Sequence, residues 1–224
     1  MMPGISIDIV HLMILKLILH SIRETMRDND DSPLWISLAN YISKATFYRK
    51  MAELEMLGFV SRISRTKYLI SISGYLLLVF AYFMGVGTID RDTVRLAVKA
   101  IKGNWGLVEF SDDEVESYIK LLYLSSKGKS VNEVLALYQE FPKNVLFILP
   151  NNLKFNNSET LHELLINKYG DADTVYKARR VIAKALLDYF PTSYMNGCRT
   201  VSIINNGEPK VLAMECGKGN YILN

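Results

Sequence analysis

Between Ser43 and Gly58 the chain sets side chains able to recognise a nucleic acid along one face of a helix. Thr46 and Arg49 carry a hydroxyl and a guanidinium, the groups that hydrogen-bond base edges, while the ammonium groups of Lys44 and Lys50 suit phosphates. Ala45 and Ala52 are small enough to allow close approach, and Tyr48 and Glu53 share their side. Phe47, Met51 and Leu54 recur at i, i+4 and i+7, an apolar stripe that anchors the opposite side in a core. Ser43 is placed to cap the start of this helix and Gly58 to end it.

The elements around the helix follow from the next residues. Residues 59–63 and 68–72 read as two short strands joined by Ser64-Arg65-Thr66-Lys67, a polar and basic tip, after which Ser73-Gly74 opens another helix. This order, most specific over residues 43–74, resembles the winged-helix form of the helix-turn-helix domain and covers about the first third of the chain. The resemblance implies a helix that enters a DNA major groove and a wing that touches backbone or minor groove. On that pattern Arg49 and Thr46 read bases, with Ser43 and Ala45 at the same surface. Lys44, Tyr48 and Lys50 hold the register on the phosphates, and Arg62, Arg65 and Lys67 clamp the flank. The composition of the wing resembles regulators of archaea and of their viruses or plasmids. One departure is visible: the preceding helix falls within residues 32–40, with Pro33 at its first turn, and its link Asn40-Tyr41-Ile42 is shorter and less glycine-like than the family pattern. Leu34, Leu38 and Ile42 face the core there, or Ile36 replaces one of them.

At 224 residues the chain has room for one large domain or two small ones. Half of its residues are hydrophobic and 22% are charged, an ordinary balance for a folded domain, and the net charge is only +3. The distribution is more telling. Between Lys44 and Lys67 six basic side chains face two acidic ones, Glu53 and Glu55, a local positive field suited to DNA. The N-terminus shows no basic region ahead of its apolar run and no small-residue cleavage site, and two cysteines do not make a disulfide scaffold, so the expected compartment is the cytoplasm.

Two apolar runs have to be weighed as membrane spans. Residues 5–19 contain His11 and Lys16 and are too short; they read as the first helix, continuing towards Arg27 and stopped by Asp28-Asn29-Asp30-Asp31. Residues 68–89 carry no formal charge, but the wing strand, Ser71, Ser73 and Gly74 break them, leaving residues 75–84, about half a span. No membrane partner is expected. A helix over 75–84 that is apolar all round must be covered on several sides. A homodimer with this helix or the second domain at its two-fold axis would cover it and match a two-fold operator, while burial inside one subunit is the alternative.

After a joint at 85–88 the character changes. Residues 90–102, 112–126, 131–141, 158–169 and 172–190 have helical spacing, residues 145–149 read as a short buried strand closed by Pro150, and residues 199–205 and 210–216 flank a hairpin loop at 205–209. Residues 220–223 suit a third strand. The expected fold class is mainly α with small β elements, α+β: a winged-helix domain with its following apolar helix at 1–87, and a mostly helical domain with a terminal hairpin at 88–224 for assembly or sensing. In the last long helix Val175, Ala178, Ile182, Ala185, Leu186 and Tyr189 make an apolar stripe. Lys177, Arg179, Arg180 and Lys184 lie off it, as a solvated face rather than a second phosphate contact. A five-residue hairpin loop would set Cys198 opposite Cys216, within reach of a disulfide; the cytoplasmic expectation favours two small buried hydrophobes.

Nothing in the chain points to catalysis, a metal or a cofactor. His11, His20 and His162 stand apart from any ligand spacing, and no phosphate loop, nucleophile elbow or HExxH motif occurs. Gly217-Lys218-Gly219-Asn220 reads as a hairpin turn, and Asp112-Asp113-Glu114 after Ser111 as a helix cap rather than a metal site. The expected function is that of a transcriptional regulator binding specific double-stranded DNA. Plasmid or viral replication or segregation is an alternative, and so is a winged helix used for protein docking, against which the basic tip and the outward Arg49 speak.

Overall fold

The computed structural model describes residues 6–24, 34–64, 67–156 and 158–224. The expected stop at Asp28–Asp31, the placement of Pro33 and the hairpin-tip residue Arg65 lie outside the described residues. The chain forms two compact units, Met1–Ile101 and Lys102–Asn224, both mostly helical, with a two-stranded sheet in the first and a four-stranded one in the second. It is an α+β protein. The division between the units falls within a helix, at Ile101 and Lys102. Lys16 of the first helix pairs with Asp90 and donates to the Thr88 carbonyl, and His20 meets Thr93 at 3.2 Å, so the start of that dividing helix stays with unit 1.

Unit 1 is built on α1 (Ile9–Glu24), which packs against a 3-10 helix (Leu34–Leu38), α2 (Lys44–Met56), β2 (Tyr68–Ile70) and α3 (Ile72–Phe83). Leu12, Ile14, Leu15, Ile18 and Leu19 of α1 are buried at that junction. The segment before α2 is thus a short 3-10 turn among the described residues, with Leu38 buried and Ile36 exposed. Strand β1 (Val60–Arg62) pairs with β2 in antiparallel register, Val60 opposite Ile70 and Arg62 opposite Tyr68. Helix α3 starts at Ser71, whose hydroxyl accepts from Gly74 N–H and lies 2.8 Å from the Gly58 carbonyl oxygen, tying the end of the hairpin to the end of α2. Helix α4 (Arg91–Asn104) is capped by Asp90, which accepts from Thr93 N–H at 2.8 Å.

The apolar helix resolves the question of what covers it. Every residue of α3 from Ser73 to Ala81 is buried within a single chain, Leu76, Leu78 and Val79 completely. A second subunit is not needed to cover it, which corrects the reason for expecting the two-fold axis there. No helix among the described residues is long and apolar enough to cross a membrane.

Unit 2 is centred on α9 (Ala172–Tyr189), against which α5 (Asp112–Ser125), α7 (Val145–Ile148), α8 (Leu161–Tyr169) and strands β4 (Cys198–Asn205), β5 (Glu208–Glu215) and β6 (Tyr221–Leu223) pack. Between α5 and α7 lies α6 (Val131–Tyr138), and β3 (Ser193–Met195) completes the antiparallel order β3-β4-β5-β6. The expected stripe of α9 is buried except at Tyr189, which is exposed near the helix end. Ser111 closes a capping box with Glu114, as its position before Asp112-Asp113 suggested. Residues 145–149 form a helical turn, not the expected strand. Burial of Val145 and Ile148 with Leu146 exposed is a helical spacing, and Lys168 donates to the Ile148 and Leu149 carbonyls that end the turn. A run of five apolar residues carries too little periodicity to separate the two forms.

Cys198 and Cys216 are bonded, with Cα atoms 4.4 Å apart. The expectation of two unbonded hydrophobes is corrected. The cysteines flank a hairpin that brings them face to face, and both are only half-buried.

Candidate nucleic-acid interface

Local chemistry sets the two ends of α2 where the sequence placed them. Ser43, with φ −71° and ψ 154°, accepts from Thr46 N–H at 3.1 Å and satisfies one of the free donors at the helix start. At the other end the Phe59 N–H reaches the Leu54 carbonyl and Gly58 N–H that of Glu55, with Gly58 at φ +74°. This paired closure uses a glycine because a Cβ resists the left-handed conformation. Phe47, Met51 and Leu54 are buried, and the exposed arc consists of Lys44, Ala45, Tyr48, Arg49, Ala52 and Met56.

Those residues differ in how free they are. The Arg49 side chain is 68% exposed, and its Nε stands 4.0 Å from Glu53 Oε1. Lys44 is exposed with its ammonium 5.3 Å from the ring centre of Trp35, on the 3-10 helix. Tyr48 rests edge-on against Phe47 with ring centres 5.4 Å apart, leaving much of it open to solvent. The Thr46 hydroxyl lies 3.0 Å from Ser43 Oγ, so its first hydrogen bond belongs to the helix cap.

Lys50 is not on this surface. Its ammonium is 2.8 Å from Asp8 Oδ2 and 3.0 Å from Glu53 Oε2, and the side chain is only 14% exposed. Two carboxylates, Glu53 on the same helix and Asp8 just ahead of α1, hold the ammonium that the sequence assigned to a phosphate. The same network contains His11, fully buried, with Nε2 2.8 Å from Glu53 Oε2 and Nδ1 2.9 Å from Asp8 Oδ1. Burial pushes the Asp8 carboxyl up, but the hydrogen bonds from Lys50 and the His11 backbone, with both their charges, bring it down to about 2. The hydrogen bond from Lys50 likewise lowers Glu53, and the hydrogen bond to Asp8 raises Lys50. Spacing along the chain relates Asp8 to His11 as i and i+3, but nothing local links either to residues 50 and 53, so only the packing of α1 on α2 reveals the cluster.

On the hairpin, Arg62 stacks on its cross-strand partner Tyr68 at 5.8 Å, and its Nε donates to the Ser64 carbonyl at 3.2 Å. Lys67 is exposed at the tip, while Arg65 is outside the described residues. Met56 at the end of α2 and Ile63 and Leu69 on the hairpin are exposed apolar residues, a feature that charge counting did not anticipate. The cations of α9 are engaged within unit 2: Lys177 with Asp173 at 2.6 Å, Arg180 with Glu114 at 2.8 Å, Lys184 with Asp188 at 2.8 Å, and Arg179 stacked on Tyr176. They form a network of pairs rather than a phosphate track. Among the described residues no group of three or more His, Cys, Asp and Glu side chains is arranged to hold a metal.

Compared with known proteins, the chain matches no family model, no curated protein and no solved structure.

Proposed function

We propose that unit 1 binds double-stranded DNA in a sequence-specific way and that the protein acts as a transcriptional regulator. The observation that carries this reading is the division of α2. Its apolar side is buried, and its exposed side offers Lys44, Ala45, Tyr48, Arg49 and Ala52, a set of small, cationic and aromatic groups next in the chain to a basic hairpin. The order α1, 3-10 helix, α2, β1, β2, α3 supports a winged-helix reading of the unit. In this reading Arg49 contacts a base edge in the major groove, Lys44 and Tyr48 meet the adjoining backbone, Thr46 and Ser43 close the helix start, and Arg62 and Lys67 flank the groove. Lys50 serves the fold.

Two copies on a two-fold site belong to the same proposal, with an interface elsewhere than Ser73–Ala81. The cytoplasm is the proposed compartment, in an organism of the hyperthermophilic kind whose intracellular proteins retain disulfides such as Cys198–Cys216. Exposed Met56, Ile63 and Leu69 favour a second reading, docking of a protein on the same surface.

Selection from a random pool of duplex DNA tests the proposal. A recurring motif should emerge, and binding to it should weaken by orders of magnitude over a few-fold rise in salt, as counterion release requires. A pool without enrichment and without any mobility shift would sink DNA binding and leave the docking reading.

A further inference from the structure

The Arg49 side chain is 68% exposed on α2, yet a carboxylate stands beside it. Glu53, one turn along, presents Oε1 to Arg49 Nε at 4.0 Å while Oε2 takes Lys50 Nζ at 3.0 Å and His11 Nε2 at 2.8 Å. Two partners on one oxygen hold Glu53 beside the arginine. Lys50 does not cancel it outright, because the same ammonium is shared with Asp8 at 2.8 Å. A recognition surface built only for affinity would place no carboxylate here, and it would leave Lys50 exposed.

Resting on the DNA-binding reading, we propose that Glu53 is a specificity-determining residue of α2, positioned by His11 and acting through Arg49. The carboxylate opposes a phosphate group arriving at Arg49, since like charges at such distances repel even in water. It does not oppose the neutral edge of a base. Arg49 therefore gains little by clamping backbone at random, and it leaves Glu53 for paired acceptors at the right place, such as the O6 and N7 of a guanine. Fixing Lys50 in the network removes a further phosphate contact that every sequence would share. Both effects lower random binding more than specific binding. The cost is absolute affinity, and the gain is the ratio between the two.

The test compares binding to the duplex recovered by selection with binding to a scrambled duplex of the same composition, at one salt concentration. Glu53→Gln keeps an oxygen that accepts from His11 and Lys50 but loses the charge. It should strengthen binding to the scrambled duplex by roughly three- to tenfold, change the selected duplex less, and so lower the specificity ratio. Glu55→Gln, an equal change of charge two positions away, should leave the ratio unchanged. In an Arg49→Ala background Glu53→Gln should no longer alter it, the signature of two residues acting together. If Glu53→Gln is too unstable to assay, Glu53→Asp withdraws the carboxylate from Arg49 while keeping the network charge, and should lower the ratio in the same direction. Equal effects of Glu53→Gln and Glu55→Gln, or a ratio that does not move, would overturn this inference and leave DNA binding standing. Failure of the unmodified protein to bind any duplex would overturn both.

Discussion

Gly74 stands where no side chain fits: a Cβ there would overlap the carbonyl oxygen of Phe59 and come within 2.6 Å of Ile70 Cγ2. This contact joins the first turn of α3 to the residue just ahead of β1, and with Ser71 it fixes how the hairpin leaves the helix. Gly74→Ala should destabilise the protein by about 1–3 kcal/mol, as overpacking does, despite alanine being the better helix former. Urea denaturation measures it, and a variant as stable as the parent would show that the backbone can retreat from Phe59.

Base reading and backbone clamping should separate by mutation. Arg49→Ala is expected to lose about 1–3 kcal/mol on a selected duplex and much less on random DNA. Lys67→Ala should weaken both by similar factors and flatten the salt slope by about one ion. Equal losses on the two duplexes for Arg49→Ala would place that arginine on a phosphate.

Acid should loosen unit 1 through the network under α2. The folded pKa of Asp8, brought to about 2, lies below its ordinary value of 3.8, so its stabilisation is complete above about pH 4 and fades as pH falls towards 2. Because its side chain is 45% exposed, solvent screening leaves a contribution of about 1 kcal/mol rather than the full linkage value. Asp8→Asn should remove that part of the acid dependence, read as melting temperature against pH. An unchanged profile would mean that Asp8 ionises alike in the folded and unfolded chain.

The disulfide closes a separation of 18 residues and should stabilise unit 2 by about 3 kcal/mol. A Cys198→Ser, Cys216→Ser variant should melt lower, match the parent under reducing conditions, and bind duplex DNA as the parent does. Free thiols titrating in the unreduced, denatured parent would contradict the bond.

Leu78→Glu tests how α3 is covered. Leu78 is fully buried within one chain, so a carboxylate there has no water and no partner, and the variant should fail to fold cooperatively rather than dissociate into a folded monomer. Circular dichroism with light scattering distinguishes the two outcomes.

Helix α2 was legible from sequence because its causes are local. A serine cap, a glycine stop and an apolar residue every three or four positions act within a turn or two of the chain. The same is true of the capping box at Ser111 and of the hairpin turn at Asn206-Gly207, whose positive φ angles asparagine and glycine tolerate. The pairing of the cysteines shows where such reasoning stops. The hairpin has a two-residue turn, which carried on regularly would set Cys198 opposite Glu215. A bulge at Val201/Ser202, where Leu212 goes unpaired, moves the register by one and brings Cys216 across. A five-residue loop led to the same partner for a different reason. Helical spacing sets Lys50 beside the exposed arc of α2, because it counts neighbours within that helix and cannot see Asp8 and His11 arriving with α1. Charge, cap and period are properties of a segment. Which cation remains free to meet a ligand depends on which carboxylates the packed chain delivers to it, and only the tertiary structure decides that.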